Sequence, residues 1–190
     1  MVIIVEGPDG SGKSYLVDRM VESGNFFRYP PTHQGPPKTR EELIDRLETT
    51  LAVHQSSGLS PQTPVFDRFG LFSEQIYGSI VRKKEGGCVL TNQDIRRFEN
   101  RVREMNARVI YCRPSLRTLK SVHLEVKPHK NHQHIYRVIQ NQQTIIIEYD
   151  ILMFKYERKG FEIIRYNRDI HDVKGVIEYV RACVLSGEGP

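Results

Sequence analysis

Hydrophobic and polar positions along the chain follow two patterns, which alternate with each other. Short apolar runs rich in β-branched and aromatic residues predict strands, and longer stretches with apolar residues three and four positions apart predict helices. The predicted strands are Val2 to Glu6, Asn25 to Arg28, Val65 to Arg68, Arg108 to Cys112 and Phe161 to Tyr166. Because helical patterns separate these strands, the sequence predicts an α/β fold with a five-stranded parallel sheet covered by helices.

The helical stretches include one long segment near the C-terminal end of the chain. The predicted helices are Lys13 to Ser23, one from about Thr39, Ser73 to Lys83, Thr91 to Asn106, Pro114 to His123, Ile135 to Arg158 and Val173 to Leu185. In the long helix, Tyr149 and Tyr156 lie on one face, which predicts that both rings pack in the core. The polar, cationic segment from Glu125 to His134 is predicted to be a mobile loop that acts as a lid.

Length and composition narrow the class of protein. The chain has 190 residues, and residues 1–190 are predicted to form one domain. No apolar run approaches the ~20 residues that a membrane span needs, and the sequence shows no charged leader. We therefore expect a cytoplasmic protein that has no membrane contact. The three cysteines, Cys88, Cys112 and Cys183, are widely spaced, so we expect them to be reduced. The net charge of +5 is compatible with anionic partners.

A glycine-rich loop follows the first predicted strand. Gly7, Gly12, Lys13 and Ser14 satisfy the pattern G-x-x-x-x-G-K-[ST] between a strand and a helix. Its small residues let the backbone N–H groups converge on phosphates at the start of the helix, with Lys13 on the outer phosphates and Ser14 on Mg²⁺. The residues predicted to bind ATP are Gly7, Asp9, Gly10, Ser11, Gly12, Lys13 and Ser14.

Asp67 and Arg68 end the third predicted strand, at the sheet edge where open α/β folds bind ligands. Asp67 can join the Mg²⁺ shell or accept a hydroxyl proton, and the planar fork of Arg68 matches a second phosphate. We therefore predict that Lys13, Asp67 and Arg68 are catalytic. The alternative is an exposed ion pair at a strand end. The base-reading pattern N-K-x-D of a GTPase does not occur in the sequence.

Three segments together resemble a known family. "EGPDGSGKS" is similar to the loop of the thymidylate kinase group of P-loop nucleoside monophosphate kinases, "FRYP" (27–30) to its Arg-Phe-Pro loop, and "DRF" with Ser73 and Tyr77 to its Asp-Arg-aromatic series. The chain resembles more closely the short deoxynucleotide kinases of bacteriophages. The resemblance implies a three-layer P-loop kinase fold with strand order 2-3-1-4-5.

The resemblance also implies roles on the acceptor side. Asp9 would approach the hydroxyl of the acceptor sugar, Arg28 and Arg68 would hold the acceptor phosphate, and Phe72 would stack on the acceptor base. Asp67 would lie near the Mg²⁺ that Ser14 also binds.

One departure from the family concerns a catalytic arginine, which its members carry in the P-loop or the lid. This chain has Gly10 in the loop and no arginine in the predicted lid. Phosphoryl transfer needs cations around the transferred group, and the candidates are Lys127, Lys130 and Arg137, with Arg113 and Arg117 nearby. His129, His132 and His134 in the same segment raise a metal site as an alternative.

These observations predict an ATP- and Mg²⁺-dependent (deoxy)nucleoside monophosphate kinase. One alternative is a deoxynucleoside kinase or a kinase of polynucleotide 5′-hydroxyl ends, in which Asp67 or Asp9 must accept the hydroxyl proton. Another is a nucleotide-binding module without catalysis. The expected partners are nucleotide substrates, while nucleic acid and a second copy of the chain stay open as further partners.

Overall fold

A five-stranded, all-parallel sheet forms the centre of the protein. The computed structural model describes residues 1–29, 36–56, 61–82, 90–125 and 132–186. The strands are β1 (Val2–Glu6), β2 (Phe26–Arg28), β3 (Thr63–Asp67), β4 (Ala107–Cys112) and β5 (Glu162–Tyr166). They lie in the order β2-β3-β1-β4-β5, so the predicted sheet and its strand order are confirmed.

Eight helices are described around this sheet. They are α1 (Lys13–Glu22), α2 (Arg40–Ser56), α3 (Gly70–Ile80), α4 (Asn92–Glu104), α5 (Leu116–Glu125), α6 (His132–Gln140), α7 (Gln142–Arg158) and α8 (Val173–Ser186). Among the described residues, no helix combines the length and the apolar character that crossing a membrane requires.

The sheet is buried on both faces by two separate clusters of apolar side chains. All five residues of β1 are buried, as expected for the central strand of a parallel sheet. Ile3 and Val5 face Leu16 and Met20 of α1 and the apolar side of α8. The other face packs against side chains of α2, α3, α4 and α7. This arrangement is the predicted α/β sandwich.

The long helix predicted from Ile135 to Arg158 is wrong as one continuous element. The structure has α6 and α7 in its place, separated at Asn141, whose φ of −105° and ψ of 10° are not helical. The Asn141 side chain donates to the carbonyl oxygen of Arg137 at 2.8 Å. The backbone N–H of Asn141 also donates to the carbonyl oxygens of Arg137 and Val138, at 3.1 and 3.2 Å, so α6 ends in a tightened turn that the side chain joins.

The predicted lid lies mostly outside the described residues. Helix α5 ends at Glu125 and α6 begins at His132, so the last part of the predicted loop is helical. Lys127, Lys130, His129 and Cys88 all belong to segments outside the described ranges.

Candidate active site

The glycine-rich loop connects β1 to α1 with a strongly curved backbone. Gly7, Gly10 and Gly12 have φ values of 145°, 78° and 88°, which only glycine adopts readily. A Cβ placed on Gly7 would lie 2.2 Å from the carbonyl oxygen of Cys112 at the end of β4. The glycines at these positions are therefore needed for the curvature, and Gly7 also for close contact with the neighbouring strand.

Helix α1 begins without a side-chain cap. Gly12 is its N-cap residue, no side chain hydrogen-bonds there, and the first turn carries no acidic residue. The backbone N–H groups of a first helical turn lack partners within the helix and attract anions. The start of α1 thus has the features of a phosphate-binding terminus.

Lys13 lies folded against the loop that precedes it. Its Nζ donates to the carbonyl oxygens of Gly7 at 2.9 Å and Pro8 at 2.6 Å, and it is 3.4 Å from the hydroxyl of Ser11. Burial lowers the pKa of this ammonium, while the nearby Glu6 carboxylate opposes the shift. The structure therefore places a desolvated cation at the loop.

Glu6 is a buried carboxyl group that sequence analysis treated only as the last residue of a strand. Its Oε1 accepts from the backbone N–H of Phe69 at 2.6 Å, and its Oε2 accepts from Gly7 N–H at 3.4 Å and from the Tyr149 hydroxyl at 3.3 Å. Burial raises its pKa to about 7, although Arg68 and Lys13 lie near enough to oppose the shift. Glu6 connects the glycine-rich loop, the segment after β3 and α7.

Arg68 brings the end of β3 onto the glycine-rich loop. Its guanidinium forms an ion pair with the Asp9 carboxylate and lies 5.5 Å from the centre of the Tyr77 ring. The Tyr77 hydroxyl accepts from the backbone N–H of Asp9 at 2.8 Å. Arg68 has a φ of 77°, and its own N–H donates to Val5 at 3.0 Å. Two predicted residues, Asp9 and Arg68, are thus in direct contact.

Arg28 connects the end of β2 with α1 and β3. Its Nη2 donates to the carbonyl oxygen of Ser14 at 3.1 Å, and it lies 3.0 Å from an oxygen of Asp18 and 3.4 Å from an oxygen of Asp67. This places Arg28, Ser14 and Asp67 in one cluster beside the loop.

Phe72 does not lie where a base-stacking residue should. Its side chain has no exposed surface and packs edge-on against Tyr156, with ring centres 4.8 Å apart. A ring buried in this way offers no face to a nucleotide, so the structure replaces the expected stacking role of Phe72 with a role in the core. Tyr149 and Tyr156 are fully buried, as predicted.

The candidate cations outside the loop belong to several different elements. Arg113 forms a bidentate ion pair with Asp150, in which Nη2 and Nε of the arginine lie 2.9 and 3.0 Å from carboxylate oxygens. Arg137 lies on α6 and Arg117 on α5, while Lys127 and Lys130 are outside the described residues.

Arg168 is a cation near the loop that sequence analysis missed. It lies between β5 and α8, and its Cδ is 3.4 Å from the position of a Cβ on Gly12. The next residue, Asp169, accepts from the N–H of Ser115 at 2.7 Å and from the Thr118 hydroxyl at 2.8 Å, which anchors this loop to the start of α5. The signal in the sequence was an arginine just after a strand, at the carboxyl edge of the sheet.

The candidate donors for a magnesium ion are the hydroxyl of Ser14 and the carboxylate of Asp67. Ser14 is exposed, and the Asp67 side chain is partly exposed at the end of β3. Among the described residues, no three His, Cys, Asp or Glu side chains form a cluster that could hold a metal. Magnesium at phosphate sites is held by one or two oxygen ligands from the protein together with the phosphates, so the residues present fit this ion.

The fold and this loop define a P-loop fold of the type found in nucleotide kinases. The structure of YorR from Bacillus subtilis, in complex with phosphorylated GDP, matches with a TM-score of 0.66 and 16% identity over 97% of this chain and 95% of that chain. The structure of deoxyadenosine kinase from M. mycoides with dCMP and dCDP matches with a TM-score of 0.56 and 17% identity, over 99% of this chain and 100% of that chain. At such identities the likeness is one of fold.

A third neighbour belongs to the family that the sequence resembles. Thymidylate kinase from Candida albicans has a TM-score of 0.56 and 11% identity, over 98% of this chain and 91% of that chain. No family profile and no curated protein sequence matches the chain. The predicted P-loop kinase fold is confirmed by these neighbours and by the strand order.

Proposed function

We propose that this protein is an ATP-dependent (deoxy)nucleoside monophosphate kinase similar to thymidylate kinase and to the short deoxynucleotide kinases of bacteriophages. The observation that supports the proposal is the ion pair between Arg68 and Asp9, which puts the guanidinium of the residue after β3 directly beside the glycine-rich loop. A donor loop and an acceptor cation within one hydrogen bond of each other are what transfer between two nucleotides requires.

The donor nucleotide is assigned to the loop from Gly7 to Ser14. The uncapped start of α1 receives the phosphates, and Lys13 exchanges its bonds to loop carbonyl oxygens for bonds to the outer phosphates. Ser14 and Asp67 would hold Mg²⁺, which neutralises charge on the transferred group. Arg168, beside Gly12, supplies a further cation on this side.

The acceptor monophosphate is assigned to Arg28 and Arg68. Both guanidinium groups now engage carboxylates, Asp67 and Asp9 respectively, and both present the planar donors that suit a phosphate. An acceptor oxygen attacks the γ-phosphorus, the bond from this phosphorus to the bridging oxygen breaks, and ADP leaves with the electron pair. The attacking oxygen is already an anion, so the step needs no base.

A second candidate function is a deoxynucleoside kinase, favoured by the likeness to deoxyadenosine kinase over nearly all of both chains. That reaction starts from a hydroxyl, and a carboxylate must take its proton. Asp67 and Asp9 are the candidates, and each is engaged by an arginine. This engagement favours phosphate over hydroxyl as the acceptor.

The test is direct transfer of a labelled phosphate. The protein, γ-labelled ATP and Mg²⁺ are incubated separately with each nucleoside, each nucleoside monophosphate and a 5′-hydroxyl oligonucleotide. We expect label only in nucleoside diphosphates. Label in nucleoside monophosphates or in oligonucleotide ends would reject the proposal in favour of the hydroxyl kinases, and binding of ATP without any transfer would leave a binding module.

The control for this assay is Lys13→Ala. Its hydrogen bonds go to the carbonyl and hydroxyl groups of the loop itself, so the variant should fold, which circular dichroism checks. Transfer should fall by at least about a hundredfold, because a preorganised charge at the transferred group is worth that much in typical enzymes.

A further inference from the structure

Tyr77 of α3 contacts both halves of the candidate site. Its hydroxyl oxygen accepts from the backbone N–H of Asp9 at 2.8 Å, and the centre of its ring lies 5.5 Å from the guanidinium carbon of Arg68. Arg68 and Asp9 also pair directly through their side chains. The three residues therefore form a closed set in which each one contacts the other two. We call this set the Tyr77 triangle.

The members of the Tyr77 triangle belong to three different segments. Asp9 lies in the glycine-rich loop, Arg68 directly follows β3, and Tyr77 lies in the last turn of α3. Asp9 and Tyr77 are 68 positions apart in the sequence, and Asp9 and Arg68 are 59 positions apart. Contacts between such distant positions fix how the glycine-rich loop is placed relative to the end of β3.

Tyr77 is firmly held in the core. It is 2% exposed, and its ring packs edge-on against Tyr149 of α7, with ring centres 6.3 Å apart. The side chains of Arg68 and Asp9 are 36% and 27% exposed. A buried ring in a close-packed interior keeps one orientation. Tyr77 therefore provides a fixed point for two side chains that have more freedom to move.

The phenol binds its two neighbours through two separate groups. Burial raises the pKa of Tyr77 to about 12, although the Arg68 guanidinium opposes the shift. The side chain is therefore neutral at ordinary pH, with an oxygen that accepts from Asp9 and a ring that attracts the cation of Arg68. Because the hydroxyl and the ring act separately, a substitution can remove the first and keep the second.

The direct pair between Arg68 and Asp9 cannot hold the site together during the proposed reaction. An acceptor phosphate would take the guanidinium from the Asp9 carboxylate, because a phosphate carries more charge than a carboxylate. The contacts of Tyr77 use the backbone of Asp9 and the attraction of the cation to the ring, and neither competes with the phosphate for guanidinium N–H groups. Tyr77 thus still connects the loop to Arg68 when an acceptor is bound.

We propose that Tyr77 is a positioning residue, which aligns Arg68 with the glycine-rich loop so that the acceptor oxygen meets the γ-phosphorus in line. The proposal rests on the proposed kinase function, and the contribution of Tyr77 is alignment, not affinity for either nucleotide. A misplacement of about 1 Å can cost about a hundredfold in rate. Loss of the Tyr77 hydroxyl should therefore reduce turnover and leave the affinity for each separate substrate nearly unchanged.

A ligand that spans both halves of the site measures alignment without catalysis. Isothermal titration calorimetry gives the affinities of ATP, of each nucleoside monophosphate and of the corresponding adenosine–nucleoside pentaphosphate. Tyr77→Phe should weaken the tightest pentaphosphate by at least about tenfold, while ATP and the monophosphates bind within about twofold of the wild type. Only the bridging ligand depends on how the two halves are placed relative to each other.

The matched control is Tyr156→Phe. It also removes one buried phenol hydroxyl, which accepts from Gln75 of the same helix α3 at 3.0 Å. This variant should leave the three affinities unchanged, and circular dichroism establishes that both variants are folded.

Two further measurements separate alignment from a purely structural role. Tyr77→Phe should lower kcat by at least about tenfold with both KM values nearly unchanged. In a protein that already carries Arg68→Ala, Tyr77→Phe should weaken the pentaphosphate by less than about twofold, because the group to be aligned is gone.

The outcomes distinguish this inference from the proposed function. A wild-type protein that binds no pentaphosphate more tightly than ATP would reject the two-nucleotide site, and the role of Tyr77 with it. If the wild type has this advantage, the role of Tyr77 alone is rejected by a Tyr77→Phe variant that keeps it or that weakens ATP equally. Equal losses of pentaphosphate affinity with and without Arg68 would reject it as well.

Discussion

Gly7 has a conformation and an environment that leave no room for a side chain. Its φ of 145° lies in the region that only glycine tolerates, and the site of a Cβ is 2.2 Å from the carbonyl oxygen of Cys112. The neighbouring atom belongs to the backbone of a buried strand, so it cannot move aside cheaply. The close approach of the loop to β4 therefore requires glycine at this position.

Replacement of Gly7 by alanine should destabilise the protein by about 3 kcal/mol or more, from backbone strain combined with the clash. The matched control is Gly24→Ala, whose φ is 79° but whose Cβ would meet nothing within 4 Å. That variant should cost only about 1 kcal/mol, the price of a left-handed alanine. Urea unfolding measures both values, and equal costs would contradict the role of the clash.

Glu6 should make stability depend on pH in a defined direction. Its pKa rises from an ordinary 4.5 to about 7 on folding, so the folded state holds a proton that the unfolded state releases. The contribution to stability is complete below pH 4.5 and is lost as the pH rises through 7.

Glu6→Gln removes this titration. Between about pH 5 and pH 7, the free energy of unfolding of the variant should therefore gain on that of the wild type by about 1.4 kcal/mol per pH unit. Thermal or urea unfolding across this range measures the difference, with Glu22→Gln as the control for loss of an exposed carboxylate on α1. A difference that stays constant with pH would show that Glu6 does not hold the proton.

The sequence predicted those residues of the candidate site that belong to a local sequence pattern. The glycines, Lys13 and the pair Asp67–Arg68 follow from the loop motif and from the end of a strand, and the structure gathers them at one edge. It did not reveal Arg168, because the contact with Gly12 depends on how β5 and α8 are placed in space. The expected stacking of Phe72 on a base was wrong, because an aromatic residue that follows a strand can pack in the core as readily as it can contact a ligand.

At the level of elements, α4 is tied to α2 through its N-terminus. Thr91 and Asp94 form a capping box, in which the Thr91 hydroxyl accepts from Asp94 N–H at 3.2 Å and the Asp94 carboxylate accepts from Thr91 N–H at 2.8 Å. The same carboxylate accepts two hydrogen bonds from Arg40 of α2, at 2.8 and 2.7 Å. One buried aspartate therefore caps the N-terminus of α4 and also binds Arg40 of α2.

Removing this aspartate should cost more than removing the threonine. Thr91→Ala loses one cap and should cost about 1 kcal/mol. Asp94→Ala also leaves the Arg40 guanidinium without its carboxylate, and about 2 to 3 kcal/mol is expected. Asn100→Ala, an exposed position on the same helix, should be close to neutral. Urea unfolding of the three variants gives the order, and equal costs for Thr91 and Asp94 would argue against the tie to α2.

The ends of the helices are where local sequence patterns no longer predict the structure correctly. The five strands were predicted because buried parallel strands are nearly continuous apolar runs. Helix α3 begins at Gly70 rather than Ser73, and its N-cap residue Phe69 makes no side-chain cap, so no capping signal marked its start. The helical apolar spacing continues through Asn141, although α6 ends at Gln140 and α7 begins at Gln142.

Across the whole molecule, the two halves of the candidate site come from neighbouring strands of the sheet. The glycine-rich loop follows β1, Arg68 follows β3, and Arg28 ends β2. Because parallel strands carry their carboxyl ends to the same edge, the proposed donor and acceptor groups meet there without any special bend of the chain. The strand order β2-β3-β1 thus places Arg28, Arg68 and the glycine-rich loop side by side along this edge.

A ligand that spans both halves should stabilise the protein more than a ligand of one half. We expect a dinucleoside pentaphosphate to raise the melting temperature more than an equal concentration of ATP, since a tighter ligand shifts the folding equilibrium further. In Arg68→Ala the advantage over ATP should disappear, whereas Arg68→Lys should keep part of it. Thermal shift measurements decide this, and a full advantage in Arg68→Ala would exclude Arg68 from the acceptor site.

Lys13 has a consequence for the energetics of binding. Its ammonium is already stripped of water and hydrogen-bonded to the carbonyl oxygens of Gly7 and Pro8, so folding, rather than binding, bears the cost of drying this cation. Under the proposed function, nucleotide binding at Lys13 is an exchange of carbonyl oxygens for phosphate oxygens. The heat released on binding reports the difference between two sets of bonds, and it will be smaller than the number of contacts in the complex suggests.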